Sequence, residues 1–565
     1  MSLGGAHVSS IALSSKTATS PLRFRLDGWS AVAFLVCAVV ALPILALPWL
    51  ALSPTENIWP HLSSTVLPRY VLTTVVLLTL VAAGTLFCGI SSAWLVTMCR
   101  FPGHTLFAWM LLLPLAMPAY IVAYVYTDLL EYAGPVQQLL RELFEWRSAK
   151  DYYFPKIRSL GGAAIMLTLV LYPYVYLLAR GAFLEQSVAA LEVSRTLGCG
   201  PWQAFFRVGL PSARPAIAVG LSLASMETLN DFGTVDFFGV QTLSLGVYDV
   251  WLNMGNMGGA AQIASVMLLF VISLLVFEQL GRRRRQHYSS NARLRGLPGV
   301  VLTGWHAISA TTLCALLVVL GFVLPASVLS SYALKHFDAS LDANVDEFAL
   351  NSIMLSISAA ILTVALGVLL AYSKRLRHRF AVQGAVWVAS LGYAVPGAVL
   401  AIGVIIPFAS LDNWLNELTQ EWIGVNVGLL LSGTVAAILF AYVVRFLTIS
   451  VGGVSASLNK VTPSMDMAAR TLGHGPLRVF LRVHLPLIRG GMLTAGVIVF
   501  VDCMKELPAT LILRPFNFET LATHVYQFAS DEQIETAAPG ALLIVLAGLI
   551  PVVLLTRAIS SSRIV

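Results

Sequence analysis

Long apolar runs recur through the whole chain, and they constrain its fold more than any other feature. Examples are Ala31–Leu52, Val71–Val96, Ala163–Ala179, Ala349–Tyr372 and Ala541–Leu555. A helix of about 20 apolar residues crosses a hydrocarbon core of about 30 Å. Because lipid offers no partners for free backbone groups, such runs must be helices. We therefore predict an all-α integral membrane protein.

Composition supports the same prediction. Only 11% of the residues are charged, against about 25% in soluble domains, so lipid must be the main solvent. Apolar segments can be counted at twelve places, centred near residues 41, 84, 117, 171, 223, 270, 318, 361, 396, 438, 500 and 548. The six cysteines form no CxxC pair and mostly lie within these segments. They are typical of small core residues, and no metal site is predicted from them.

Basic residues alternate between the loops and indicate how the chain inserts. The loops that we place in the cytoplasm are rich in arginine, as in Arg282–Arg285, and the opposite loops are acidic or mixed, as in residues 332–348. Lys and Arg remain on the cytoplasmic side during insertion, so we expect both termini there. Residues 1–28 then form a cytoplasmic tail and 282–300 a basic linker. This rule also explains the net charge of +7, and we expect no nucleic-acid partner.

An internal repeat divides the chain into two halves. Residues 192–217 and 467–492 match at an offset of 275, with Arg-Thr-Leu-Gly, Gly-Pro and Leu-Pro in both copies. Each copy follows the fourth apolar segment of its half. An even number of crossings in each half gives both halves the same orientation in the membrane. We therefore predict two fused six-helix units, 29–281 and 301–565.

Each copy of the repeat is too polar to span the membrane. Gly198 and Gly473 permit a tight turn after a short helix. Pro211 and Pro486 lack a backbone donor and restrain the residues before them, so they mark the entry to the next spanning helix. We predict a short helix that lies along the cytoplasmic face, in a shape suited to docking with a partner.

This pattern of an acid, small residues, a glycine and a distal Leu-Pro is similar to the EAA loop of ABC-importer permeases. The resemblance places EAA loops at 185–212 and 455–487 and implies that each is a coupling helix for an ATPase subunit. The residues that carry it are Glu192, Ser194, Gly198, Leu210 and Pro211 in the first half, and Ala468, Ala469, Gly473, Leu485 and Pro486 in the second. In the second half Met467 stands where the acid is expected, with Asp466 one position early.

Two further stretches narrow the resemblance. Residues 226–251 and 504–532, the latter beginning Met-Lys-Glu-Leu-Pro-Ala-Thr-Leu, resemble the fused permeases of the ferric-iron uptake family, which are type I (MetI-like) ABC permeases. The resemblance implies import of ferric iron, bare or as a small chelate, across a bacterial inner membrane. It also implies two copies of an ABC ATPase subunit that bind the ATP, a periplasmic binding protein, and no cofactor on this chain. Thiamine, polyamine, phosphonate and sulfate remain alternative substrates.

Four carboxylates in the apolar segments are candidates for a substrate path. When the two halves are aligned with the offset of 275, Glu227 aligns with Asp502 and Asp231 aligns with Glu506. A spacing of four residues predicts that each pair lies on one face of the fifth helix of its half. Ionisable residues in spanning helices are costly and usually functional, and oxygen anions suit a hard, highly charged cation. The alternative is that these residues cap helix ends or form internal pairs, for example Glu506 with Arg514.

Some catalytic patterns do not occur in the sequence. There is no G-x-x-x-x-G-K-[ST] run, the P-loop that cradles ATP phosphates, and no HExxH. We therefore predict that the chain is not an enzyme. A secondary transporter is the alternative from a different class, because it also uses twelve helices in two parallel halves. The paired docking loops favour the ATP-driven importer.

Overall fold

The computed structural model describes residues 28–54, 56–184, 200–283, 300–335, 344–376, 380–459, 461–473 and 475–561. Within these ranges the chain is helical apart from loops and one short parallel pair of strands, Cys99–Arg100 with Val300–Val301. The prediction of an all-α membrane protein is confirmed.

The first half contains six segments that correspond to its predicted spans. Its α-helices are Gly28–Leu52, Trp59–Ser64, Leu67–Met98, His104–Met110, Ala119–Leu130, Pro135–Phe144, Leu160–Leu184, Pro201–Ala204, Leu210–Asn230, Gly233–Phe237, Leu243–Tyr248 and Met257–Arg283. A 3₁₀ turn covers Leu113–Ala116, and π-helical turns cover Phe205–Gly209 and Asp249–Asn253.

The second half repeats this order. Its α-helices are Trp305–Val318, Leu324–Lys335, Val345–Leu376, Phe380–Ala389, Gly397–Ile423, Val435–Leu458, Pro463–Thr471, Pro476–Val479, Leu485–Met504, Pro508–Leu513, Leu521–Ser530 and Ile534–Ser561. A 3₁₀ turn covers Gly392–Ala394, and π-helical turns cover Val319–Val323 and Phe480–His484.

The predicted number of spans agrees with the structure. Among the described residues, ten helices are long and apolar enough to cross a membrane, and the count is eleven when the helix pair His104–Ala116 and Ala119–Phe144, bent by 91° at its break, is taken as one span. The remaining predicted segment, near residue 223, is the helix Leu210–Asn230. It falls short of the others in apolarity because it carries polar residues such as Arg214 and Glu227.

The third span of each half is broken at its centre. Met117 and Val395 have extended backbones, and a new helix begins after the proline that follows each of them. A proline disfavours helical geometry in the residue before it, which explains both breaks. Broken helices are tolerated at membrane depth where they are buried or line a cavity.

The two halves interlock instead of lying side by side. The first helix, Gly28–Leu52, packs against Phe380–Ala389 and Gly397–Ile423 of the second half. In turn Trp305–Val318 contacts Leu67–Met98 of the first half. Each of the two large hydrophobic cores therefore contains buried residues from both halves.

The second copy of the repeat contains the predicted short helix, Pro463–Thr471. Gly473 follows it with φ 79°, the left-handed conformation that favours glycine. Ala468 is exposed and Ala469 is buried. In the first loop, Glu192, Ser194 and Gly198 lie outside the described residues, so their roles remain predictions.

Both copies of the repeat enter the fifth span through the same backbone feature. The π-helical turns Phe205–Gly209 and Phe480–His484 lie 275 residues apart, and each continues directly into a helix whose second residue is Pro211 or Pro486. A proline cannot donate the usual α-helical hydrogen bond, and a π turn accommodates that loss. These prolines therefore lie at the junction of the π turn and the long α-helix, and in the second half the continuous span already begins at Pro476.

Asp466 ties the short helix Pro463–Thr471 to two spanning segments. Its carboxylate accepts a hydrogen bond from Nε2 of His484 at 2.5 Å and pairs with the Arg375 guanidinium at 2.9 Å. Burial raises the pKa of Asp466, but the hydrogen bonds from His484 and Arg375 and the charge of Arg375 outweigh it, so the pKa is lowered overall. The stabilisation that ionised Asp466 provides is therefore fully present above the ordinary pKa of an aspartate. It is lost only as the pH falls through the lowered pKa of Asp466 in the folded protein.

We expect Asp466→Ala to loosen the short helix without unfolding the protein. The substitution leaves Arg375 and His484 without their shared acceptor, which costs about 1–3 kcal/mol locally. Hydrogen–deuterium exchange of Pro463–Thr471 measures the effect, with Met467→Ala, which is 61% exposed on the same helix, as the matched control. Unchanged exchange in Asp466→Ala would show that the anchor does not hold the helix.

Candidate functional site

One cavity lies between the two halves, at the broken third spans. Its volume is ≈ 100 Å³, which is enough for several water molecules. All four predicted carboxylates line it, together with Tyr174, Tyr393, Arg445, Lys505 and residues beside Pro118. The offset of 275 thus leads to residues that share one cavity, although a role in transport remains a prediction for each of them.

The two carboxylates of the first half are held by neutral donors. Glu227 accepts a hydrogen bond from the Tyr393 hydroxyl at 2.8 Å. Asp231 accepts bonds from the backbone N–H of Thr234 at 3.1 Å, from the Thr234 hydroxyl at 2.9 Å and from the backbone N–H of Val235 at 3.2 Å. Neither carboxylate forms an ion pair among the contacts of the described residues.

The two carboxylates of the second half are held by cations. Asp502 pairs with Nζ of Lys505 at 2.9 Å, one helical turn away. Glu506 pairs with the guanidinium of Arg445 at 2.8 Å and also accepts from the backbone N–H of Ala509 at 3.1 Å. Both side chains of the Arg445–Glu506 pair are only 5% exposed, so this pair is the buried ionic contact of the site.

The prediction that each pair of carboxylates lies on one helical face is wrong. The spanning helices end at Asn230 and Met504, before Asp231 and Glu506 are reached. The next short helices begin at Gly233 and Pro508, and neither residue favours continuing the previous helix. Asp231 and Glu506 instead bind free N–H groups at the start of those short helices, as capping carboxylates do.

Contacts across the cavity join the two halves directly. Besides the bond between Tyr393 and Glu227, the amide oxygen of Asn230 accepts from the backbone N–H of Gly397 at 2.7 Å. Both partners from the second half lie at the break of its third span. The end of the fifth span in one half is therefore hydrogen-bonded to the break in the other.

Sequence reasoning missed Arg445 and Tyr393. Arg445 lies in the middle of the apolar helix Val435–Leu458 and could have been found, because a single charge in such a run predicts a buried partner. Tyr393 carries no comparable signal. The alternative pairing of Glu506 with Arg514 is wrong, since Arg514 pairs with Glu519.

The cavity carries a surplus of negative charge. Its lining holds four carboxylates and two basic side chains, which leaves a formal charge of −2 when all six are ionised. Among the described residues, no group of three or more His, Cys, Asp or Glu side chains is arranged to hold a metal ion. The carboxylates therefore line a small polar chamber without converging on one point.

Comparison with known proteins places this arrangement in a family. The family model described as binding-protein-dependent transport system inner membrane component matches residues 85–286 and 363–563. The two matches fall in the two halves and together cover more than half of the chain.

Several curated relatives are transport permeases. The chain is similar to the Fe(3+)-transport system permease protein FbpB 2 of Haemophilus influenzae, with 26% identity over 86% of this chain and 88% of that protein. It is 22% identical to the ferric transport system permease protein FbpB of Actinobacillus pleuropneumoniae, over 77% of this chain and 63% of that protein. The molybdenum transport system permease protein ModB of Escherichia coli K12 is 32% identical over 35% of this chain and 86% of its own length.

The same family model matches once in each half, and the structure shows two interlocked sets of spanning helices around a shared cavity. These findings favour the importer over the secondary transporter. The chain is a multi-pass membrane protein that belongs to the family of binding-protein-dependent transport system inner membrane components, with two copies of the family's domain fused in one polypeptide.

Proposed function

We propose that this permease imports ferric iron, bare or as a small chelate, and that the cavity between its halves is part of the path. The observation that carries the proposal is the surplus of carboxylates, contributed at equivalent positions by both halves, around one chamber. Carboxylate oxygens replace the hydration of a hard cation. The named function of the ferric relatives supports the same substrate.

We also propose how energy reaches the cavity. Two copies of an ABC ATPase subunit bind ATP and dock on the two EAA loops at the cytoplasmic face, where both termini lie. On the second loop, Met467 and Leu472 are 61% and 76% exposed, and such apolar side chains fit a groove on a partner. A periplasmic binding protein delivers the substrate at the opposite face.

An oxyanion is the second candidate substrate. It is favoured by Lys505 and Arg445 in the cavity lining and by the likeness to a molybdenum permease. Against it, both bases are already paired with carboxylates of this chain. Uptake of labelled iron and of labelled molybdate by the same complex separates the two candidates.

We expect Glu227→Gln to reduce iron uptake while leaving assembly intact. The amide keeps an oxygen that accepts from Tyr393, so the substitution removes charge with little change in packing. The measurement is uptake of labelled iron per assembled complex. Asp249→Asn, whose carboxylate binds Asn253 and does not line the cavity, is the matched control.

Glu506→Gln should behave differently from Glu227→Gln. It leaves the Arg445 guanidinium buried without an anionic partner, which costs about 3–5 kcal/mol, and we expect less assembled protein. Asp231→Asn and Asp502→Asn complete the set. Normal uptake per complex in the quadruple amide variant would rule out the carboxylates as the path.

We expect Gly473→Val to uncouple ATP hydrolysis from transport. Gly473 has φ 79°. That conformation costs a residue with a side chain about 1–2 kcal/mol, so we expect the turn after the docking helix to shift. The matched control is Gly475→Val, because Gly475 has φ −72° and open space where a Cβ would lie. We expect Gly198→Val to act like Gly473→Val.

The readout for these glycine variants is the number of ATP molecules hydrolysed per substrate imported in vesicles that contain the ATPase subunit. Full coupling in both Gly473→Val and Gly198→Val would contradict the assignment of the docking loops. The same vesicles without the ATPase subunit should neither hydrolyse ATP nor accumulate substrate on an ion gradient.

A further inference from the structure

An apolar groove of ≈ 760 Å³ opens on the first half and shares no lining residue with the carboxylate cavity. It lies where the helix Leu67–Met98 ends and where the fifth span and the helix Trp305–Val318 begin. Its lining includes Trp94, Trp202, Phe205, Phe206, Ser309 and Leu313. By the order of the spans, this end of the bundle is the one that carries the docking loops.

In the second half the corresponding place is filled by a tryptophan. The Trp29 ring packs edge-on against Tyr372, with centroids 5.0 Å apart, and Tyr372 in turn packs against Phe480 at 4.8 Å. The backbone C=O of Trp29 also accepts a hydrogen bond from the Ser373 hydroxyl at 3.1 Å. The start of the first helix thus closes this face of the second half.

The first half has equivalent rings, and among the described residues no tryptophan closes them as Trp29 does in the second half. Trp94 and Phe205 correspond to Tyr372 and Phe480, and their centroids lie 4.7 Å apart. The residue of the second half that is equivalent to Trp29 is Trp305, because the sequence Gly-Trp-x-Ala begins the first helix of each half. Trp305 is 76% exposed and does not line the groove. The groove is therefore open where the other half is closed.

The rim of the groove is held in place. Leu302, which lines the groove, donates its backbone N–H to the C=O of Arg100 at 3.0 Å, next to the paired strands Cys99–Arg100 and Val300–Val301. The chain then turns through Gly304, whose φ is 56°, into the helix that carries Trp305. This fixed path accounts for the Trp305 ring lying outside the groove.

Two kinds of side chain at this end of the groove suit a phospholipid. Trp202 and Trp305 are both more than two-thirds exposed, and tryptophan favours the level of the lipid headgroups. Arg207 and Arg100 are exposed, and His306 lines the groove. Basic groups between spanning helices bind lipid phosphates.

From this geometry we infer that the groove binds one membrane phospholipid, with an acyl chain along Trp94 and Phe206 and its phosphate near Arg207 and His306. The lipid takes the place that Trp29 takes in the second half. It seals the seam between the first half and the helix Trp305–Val318. This inference does not depend on the identity of the transported substrate.

The test is native mass spectrometry of the full-length permease purified in detergent and supplied with phosphatidylglycerol or phosphatidylethanolamine. We expect the unmodified chain to retain one phospholipid at low lipid concentration. Ser309→Trp, at an exposed position in the groove lining, should lower its occupancy at least tenfold. Ile308→Trp places the same tryptophan side chain at a neighbouring exposed position outside the lining and should retain the lipid.

A second variant tests the comparison between the halves and does not rely on filling the groove. Trp29→Ala opens the corresponding place beside Tyr372 and Phe480, so we expect two retained phospholipids. Retention by Ser309→Trp equal to that of Ile308→Trp would overturn the inference, as would unchanged stoichiometry in a folded Trp29→Ala protein. If the chain retains phosphatidylglycerol but not phosphatidylethanolamine, the contact is not with the phosphate that both lipids share. That result would overturn the proposed phosphate contact.

Discussion

The desolvation of four carboxylates within a membrane protein is the constraint around which the centre of this molecule is organised. A carboxylate removed from water without partners would be strongly destabilising. Here each one has a partner from the chain, and most of those partners lie on a different helix. Arg445, on the fourth span of the second half, pairs with Glu506 just beyond the end of the fifth span. Tyr393, at the break of the third span of the second half, binds Glu227 on the fifth span of the first half. One of the contacts that satisfy these carboxylates, the bond between Tyr393 and Glu227, therefore also joins the halves.

The halves meet this constraint in chemically different ways. In the first half the donors are a phenol, a hydroxyl and backbone N–H groups, none of which brings a positive charge to the two carboxylates. In the second half a lysine and an arginine neutralise the equivalent carboxylates. Both basic side chains of the cavity lining are thus paired with carboxylates of the second half. The pseudo-symmetric backbone therefore encloses a chamber in which Glu227 and Asp231 have neutral partners and Asp502 and Glu506 have cationic ones.

Much of this arrangement could be predicted from the sequence, because it follows from local periodicity and from the repeat. The apolar runs gave the spans, and one offset identified four residues that line a single cavity. The helical face of the carboxylates was mispredicted, since the spacing of four assumed that the helix continues through Gly233 and Pro508. The partners Tyr393 and Arg445 come from distant segments, and no local pattern specifies which helix lies opposite. The interlocking of the first helices depends on tertiary packing in the same way.

In the second copy of the repeat, the acid one position before Met467 is bound within the chain. At that position its carboxylate faces Arg375 and His484 within the chain, whereas the next residue, Met467, is exposed. His484 lies directly before the helix Leu485–Met504, which bears Asp502 near its other end, about 27 Å away at the helical rise per residue. The contact between Asp466 and His484 therefore connects the short helix Pro463–Thr471 to a helix whose other end lies at the cavity. The carboxylate of Asp466 is thus engaged within the chain, and among the described side chains of the same helix the large exposed ones are the apolar Met465 and Met467.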